Sequence, residues 1–325
     1  MENTTKKVMV VINPKSGTRS KQDVPDLVRR HLQIDGWELE TIITEYAGHA
    51  TELAKGAAAQ GYHGVVAVGG DGTINEVASS LINTSTTLGI VPCGSGNGLA
   101  RHLCIPIDIE KSLQVIARQI IEDLDYCTVN DTPFFCTCGV GFDAHVSDKF
   151  AQAGTRGPVT YLKKTIAEYL KYHCKTYVLE TADKTITEKA FVIACGNAAQ
   201  YGNNAFITPN ASIHDGLIDV TVIHPFTPFD TPLIGLLLFT KHLDQDTNIH
   251  CFRTSELTIR RDEPGIMHID GEPLQMPADL HIKCHQAGIK VFVPRFKEDR
   301  KRSFITPLEE HFWNFVNLVR TELDI

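Results

Sequence analysis

The sequence predicts two domains, an α/β N-terminal domain on a doubly wound, mostly parallel sheet and a mainly β C-terminal domain. Three observations carry this. At 325 residues the chain is long enough for two sizeable cores. Up to Asp125, buried-strand runs alternate with segments of helical period, the pattern of strand–helix–strand units. From Tyr126 onward short strand-like runs follow one another, separated by turn signals.

The first domain is organised around Val65 to Leu81. Val65-Val66-Ala67-Val68 reads as a buried strand and Gly69-Gly70-Asp71-Gly72-Thr73 as a turn, after which Ile74, Val77, Ala78 and Leu81 recur at helical spacing. Before it, Lys7 to Ile12 is a strand running into Asn13-Pro14-Lys15-Ser16-Gly17-Thr18. Val24 to Leu32 is a helix ended near Asp35-Gly36, Trp37 to Thr44 a strand, and Gly48-His49-Ala50-Thr51 opens a helix reaching Gln60. After it, Leu88 to Pro92 is a strand running into Cys93-Gly94-Ser95-Gly96-Asn97-Gly98. A helix begins at Leu99, and Ile109 to Ile121 is helical by period. Three small-residue loops thus gather at the carboxyl edge of an open sheet, where such folds bind ligands.

A glycine turn that opens a helix exposes backbone N–H groups and draws phosphate. The central turn therefore reads as a nucleotide phosphate site, although an ordinary tight turn would use the same glycines. None of the loops is G-x-x-x-x-G-K-[ST] and none completes G-x-G-x-x-G.

In the second domain the strand candidates are residues 134–138, 176–181, 190–195, 218–223, 257–260, 265–269 and 290–293. Thr160 to Lys171 and Pro232 to His242 are helical candidates. Leu308 to Leu323 is amphipathic, with Phe312, Phe315, Val316 and Val319 on one stripe that suits docking on the protein.

Composition narrows the function classes. Hydrophobic content of 42% and charged content of 22% describe an ordinary globular chain, and a net charge of −8 argues against a nucleic-acid binder. Nine cysteines show no C-x-x-C pair and read as small buried hydrophobes of a reducing compartment. Cys136 and Cys138 would share a strand face, which leaves a metal pair open. The N-terminal apolar run is too short for a signal peptide, and Leu233 to Phe239 is far short of the ~20 residues that span a bilayer. The expected location is the cytoplasm.

NPKSGT, GGDGTINE and GSGNGLAR, in this order, resemble the diacylglycerol kinase catalytic-domain family, which includes bacterial lipid kinases and sphingosine kinases. Gly139 to Ala144 (GVGFDA), Ala194 to Asp219 and Asp270-Gly271-Glu272 resemble the second domain of bacterial lipid kinases, so the similarity covers nearly the whole chain. The resemblance implies that the second domain is sandwich-like and spans 126–295, that 296–325 return to the domain of 1–125, and that the active site lies in the cleft between them. It further implies an ATP- and Mg²⁺-dependent lipid kinase acting on a diacylglycerol-like hydroxyl, in transient contact with the inner face of a membrane.

Phosphoryl transfer needs the triphosphate held, its charge neutralised and an acceptor hydroxyl beside a base. Asn13, Pro14, Lys15, Ser16 and Gly17, with Gly69, Gly70, Asp71, Gly72, Thr73, Ile74 and Asn75, are candidates to line the nucleotide. Thr44 and Ser95 sit where the family contacts ATP. Asp71 is the one acid within the glycine turn, a metal contact or a helix cap. Asp125 matches another acidic position of the bacterial metal network. Bacterial relatives hold a structural Mg²⁺ at positions matching Ser212, Asp215 and Leu217, where an Asp-Gly turn would also suffice. Glu272 is the first candidate for catalytic base and Asp270 the second. Gly98 stands where bacterial relatives often carry an acid, a departure toward the sphingosine kinase loop. A sphingoid-base or other long-chain lipid kinase, an NAD kinase and a non-catalytic nucleotide-binding regulator therefore remain alternatives, and monomer and homodimer both stay open.

Overall fold

The structure, a computed structural model, describes residues 5–17, 21–153 and 172–295. Strands β1 (Lys6–Ile12), β2 (Trp37–Ile43), β3 (Gly64–Gly69) and β4 (Thr87–Pro92) lie in the order β2-β1-β3-β4, all parallel. Helices α1 (Val24–Leu32), α2 (His49–Ala59), α3 (Asp71–Leu81), α4 (Gly98–His102) and α5 (Ile109–Ala117) accompany them. The helices α1 and α5 cover one face through Val28, Leu32, Leu113 and Ile116. On the other face Ala54, Val77, Leu81 and Leu99 supply the cover. With both faces closed, β3 and β4 are buried throughout, which is why they read as continuous apolar runs.

The second half contributes β5 (Ile121–Val129), β6 (Thr132–Phe134), β7 (Thr137–Gly141), α6 (Phe142–Ala153), β8 (Lys175–Glu180), β9 (Thr185–Ala190), β10 (Val192–Gly196) and β11 (Ile218–Ile223). It continues with α7 (Thr231–Thr240), β12 (Ile249–Thr254), β13 (Glu256–Arg260), β14 (Gly265–Ile269), β15 (Glu272–Met276) and β16 (Asp279–Phe292). One sheet is antiparallel, in the order β12-β11-β10-β7-β14-β15. The other extends the parallel sheet beyond β4 through β16, β13, β8 and β9, with β5 and β6 branching from β16. Cys138, Val140, Ile193 and Val220 of the first meet Val129, Leu179, Ile259 and Ile282 of the second, forming the sandwich core. The long strand β16 pairs with β4 at Val291 and with β5 across a bulge between His285 and Ile289, so one continuous sheet joins the halves. Over the outer face of the antiparallel sheet, Phe142, Val146, Phe191, Ile223 and Ile234 make a further apolar layer.

Several expected boundaries move. The helix from Ile109 ends at Ala117, and after Gln119 turns the chain at φ +53° Ile121 opens β5. Residues 134–138 are not one strand: Phe134 ends β6 and Thr137 begins β7, because the amides of residues 135–137 bond to Asp270 instead of to a ladder. GVGFDA runs into a helix. The polar-rich β9, β12 and β15 lacked an apolar run to betray them, and β9, β12 and β15 each lie at a sheet edge. Residues 290–292 are the end of a strand of 14 residues, and Val293 lies just beyond it. The expected helices at Thr160 to Lys171 and Leu308 to Leu323, and the return of 296–325, lie outside the described residues.

Candidate active site

At the carboxyl ends of β1, β3 and β4 the three glycine loops approach backbone to backbone. Gly17 sits at φ +67°, where a Cβ would lie 1.8 Å from the Cys93 carbonyl oxygen. A Cβ on Gly94 would lie 2.7 Å from Gly70 Cα. Loops packed this closely present amides where side chains would otherwise stand, the condition for a phosphate cradle. Asn13 braces the first loop to the second: its Nδ2 donates to Thr73 Oγ1 at 2.9 Å, and its Oδ1 accepts from Lys15 N at 2.9 Å. Ser16 Oγ donates to the Asn13 carbonyl, and Pro14 lies between them. Thr44 joins the same edge, its N–H donating to Ile12 O, and Ser95 is exposed in the third loop. Gly69 ends β3, Gly70 caps α3, and the first turn of α3 offers the N–H groups of Gly72 and Thr73. Ile74 is buried; it and Asn75 line the cavity described below.

Asp71, the first residue of α3, accepts from Asn97 N at 2.8 Å and Gly98 N at 2.7 Å, tying the second loop to the start of α4. Burial pushes its carboxyl up, and these two N–H groups oppose the shift. Asn97, at φ +52°, closes the third loop by accepting from Gly94 N and donating to Gly94 O. Arg101 Nε donates to Gly96 O at 3.1 Å; burial lowers its pKa while Asp71 opposes the change.

The two DGE acids occupy opposite environments. Asp270 is held at φ +47° and accepts four hydrogen bonds: from Cys136 N and Thr137 N on Oδ1, and from Phe135 N and Asn75 Nδ2 on Oδ2. Its acceptor capacity is full, so it clamps the β6–β7 connection onto α3. Burial pushes its pKa up against those donors. Glu272 is exposed and has no hydrogen-bond partner among the described residues. Its Oε1 lies 3.6 Å from where a Cβ on Gly72 would stand, so this acid of the second half overhangs the first turn of α3.

Asp125 lies in β5. Its carboxylate accepts from Gly216 N at 2.7 Å and Ala287 N at 2.8 Å, and its N–H donates to Ile213 O, placing it against the loop of Ser212, Asp215 and Leu217. Asp215 accepts from Leu217 N at 3.1 Å and pairs with Arg253 at 3.6 Å. Arg253 also donates to Asp219 at 2.9 Å, so a guanidinium supplies the positive charge here. Among the described residues, no group of three His, Cys, Asp or Glu side chains is arranged to hold a metal ion.

From Asp71, Asn75 and Asp270 a cavity of about 570 Å³ extends to α7, walled by Phe135, Phe142, Phe191, Ile234 and Leu238. Its polar residues include Asp143, Tyr201 and His268, linked to one another. Sequence reasoning quoted Asp143 within GVGFDA without giving it a role, and missed Tyr201, His268, Asn97 and Arg101. The one available signal was the place of His268 two residues before Asp270.

An α/β half carrying glycine loops is thus fused to a β sandwich along a shared apolar cleft, a mixed-sheet α/β plus β-sandwich class of fold. Residues 7–129 match the diacylglycerol kinase catalytic domain, and residues 136–293 match the YegS C-terminal NAD kinase beta sandwich-like domain. The chain belongs to the diacylglycerol kinase catalytic-domain family, a family of lipid kinases. It is 27% identical to a Pseudomonas syringae pv. syringae protein named "Probable lipid kinase YegS-like", over 90% of this chain and 94% of that one. It is 29% identical to "Probable lipid kinase YegS" of Escherichia fergusonii, over 81% and 89% of the two chains. A diacylglycerol kinase structure from Bacillus anthracis superposes with a TM-score of 0.72 at 18% identity, over 89% of this chain and 97% of that one, a likeness of fold.

Proposed function

We propose that the protein is an ATP- and Mg²⁺-dependent lipid kinase that transfers the γ-phosphate to a hydroxyl of a diacylglycerol-like lipid. The observation that carries this reading is the apolar cavity leading from the glycine turn and Asp270 to α7: it offers an acyl chain a dry path that ends where a phosphate would lie. Residues 13–17, 69–75, Thr44 and Ser95 hold the nucleotide. Mg²⁺ is bound by one or two carboxylates together with phosphate oxygens and water, and Asp71 at the turn would fit a cation that arrives with the nucleotide. When bound it neutralises phosphate charge. Glu272, the unengaged acid above Gly72, takes the acceptor's proton, while Asp270 positions the cleft by holding residues 135–137 against Asn75.

The helix α7 supports peripheral docking on an anionic membrane. No helix among the described residues is long and apolar enough to cross one. Phe229 is 92% exposed, and Leu233, Leu236 and Phe239 are each about half exposed, while Ile234 and Leu238 of the same helix wall the cavity. Lys241 and His242 follow. Apolar insertion beside basic groups would open the cavity toward lipid.

The deciding experiment is ATP turnover by the purified full chain with Mg²⁺ and a panel of extracted lipids. Lipid-dependent phosphate transfer is expected. ATP binding with no lipid-dependent turnover would favour the regulator, and phosphorylation of NAD would favour the NAD kinase.

A further inference from the structure

We infer that the cluster of Asp143, Tyr201 and His268 receives a second hydroxyl of the acceptor, so the lipid phosphorylated carries a hydroxyl beside the reacting one, unlike a diacylglycerol with its single free hydroxyl. The inference rests on the lipid-kinase reading above and, among diacylglycerol-like lipids, selects those that keep a second free hydroxyl.

Asp143 stands at the start of α6, where its Oδ1 accepts from Ala144 N at 2.7 Å. Its Oδ2 accepts from the Tyr201 hydroxyl at 2.7 Å and faces His268 Nε2 at 3.0 Å. The opposite strand is bare to admit them: a Cβ on Gly139 would lie 2.7 Å from Asp143 Oδ2 and 2.8 Å from His268 Nε2. His268 is 2% exposed and forms part of the cavity wall, and its Nδ1 is buried without a partner among the described residues. A buried nitrogen left unmet carries its full desolvation penalty.

The missing partner has a definable chemistry. A carboxylate only accepts, so Nε2 carries the proton directed at Asp143. Nδ1 then holds a lone pair if the ring is neutral and a proton if it is charged. A hydroxyl, which both donates and accepts, answers either state; an ester carbonyl answers only the second, and hydrocarbon neither. His268 lies two residues before Asp270 and both line the cavity, so a small polyol head held at His268 stays at the Asp270 end of it. Tyr201 is also held in register with the nucleotide loop, since Asn203 N donates to Gly96 O at 3.2 Å and Gly202 packs on Gly96.

The test uses the full chain with 1-monooleoylglycerol and its 2-deoxy analogue, which differ by one hydroxyl. Wild type should favour the diol in kcat/KM by about tenfold or more. His268→Phe should bring the ratio close to one, and Tyr201→Phe should lower it part of the way. A wild-type ratio near one, or a ratio unchanged in folded His268→Phe because both lipids fall together, would overturn the inference. If neither lipid is phosphorylated, turnover with the lipid panel above decides the lipid-kinase reading, and displacement of a fluorescent fatty-chain probe decides the anchor separately. Stronger displacement by the diol, lost in His268→Phe, sustains it; equal displacement removes it.

Discussion

The two walls of the cleft are made from different material. The wall proposed for the nucleotide is backbone: Gly17 against Cys93 and Gly70 against Gly94, with Asn13 and Asp71 as braces. The acceptor wall is side chains drawn from positions as far apart as Ile74 and His268. A backbone site needs glycine wherever two chains meet, and so it leaves a motif. A side-chain site needs only that distant residues converge, and so it leaves none. The DGE tripeptide spans both, since Asp270 is spent on structure while Glu272 two residues later stays unengaged.

That division within DGE gives the largest expected effect. Glu272→Gln keeps the shape and removes the basicity, so lipid-dependent turnover should fall by roughly 10²–10⁴-fold with ATP affinity unchanged. Wild-type turnover in the variant would move the base elsewhere.

Asp270→Asn should act on the fold. An amide accepts on one oxygen only, and its NH₂ would face backbone N–H donors, so stability should drop by about 2–4 kcal/mol in urea unfolding. A variant as stable as wild type but inactive would give Asp270 a catalytic role instead.

At the far end of the acceptor wall, Phe229→Ser with Leu236→Glu should weaken sedimentation with anionic vesicles by about tenfold or more, while turnover of a dispersed short-chain acceptor survives. Unchanged vesicle binding would detach α7 from the membrane.

The smallest effect concerns the nucleotide wall. Burial holds the folded pKa of Asp71 above its unfolded value of about 4, so the folded state binds that proton more readily. Its contribution to stability is therefore greatest below about pH 4 and declines as pH rises through the folded value. The stability of wild type relative to Asp71→Asn should shrink over that interval in urea midpoints taken at successive pH values. A difference that grows with pH would mean the N–H groups of Asn97 and Gly98 outweigh burial.

By itself the sequence determined the parallel sheet, because strands buried on both faces must be apolar throughout, as Val65 to Val68 are. It also determined the three glycine loops, because Gly17 and Gly94 have no room for any side chain. It placed the apolar segment of α7 and the DGE acids, and GGDGT, the stretch Ala194 to Asp219 and DGE together carried the family resemblance. It left β9, β12 and β15 unread, since a strand at a sheet edge can keep one face polar. Tertiary structure alone decided which DGE acid is spent, because the amides of residues 135–137 reach Asp270 only after β7 and β14 pair. It alone set Asp125 against Gly216 in the loop of Ser212, Asp215 and Leu217, and joined Asp143 to His268 across 125 positions. A hydrogen bond between residues far apart in the chain has no local period or composition to mark it; only the folded sheet brings its two ends together.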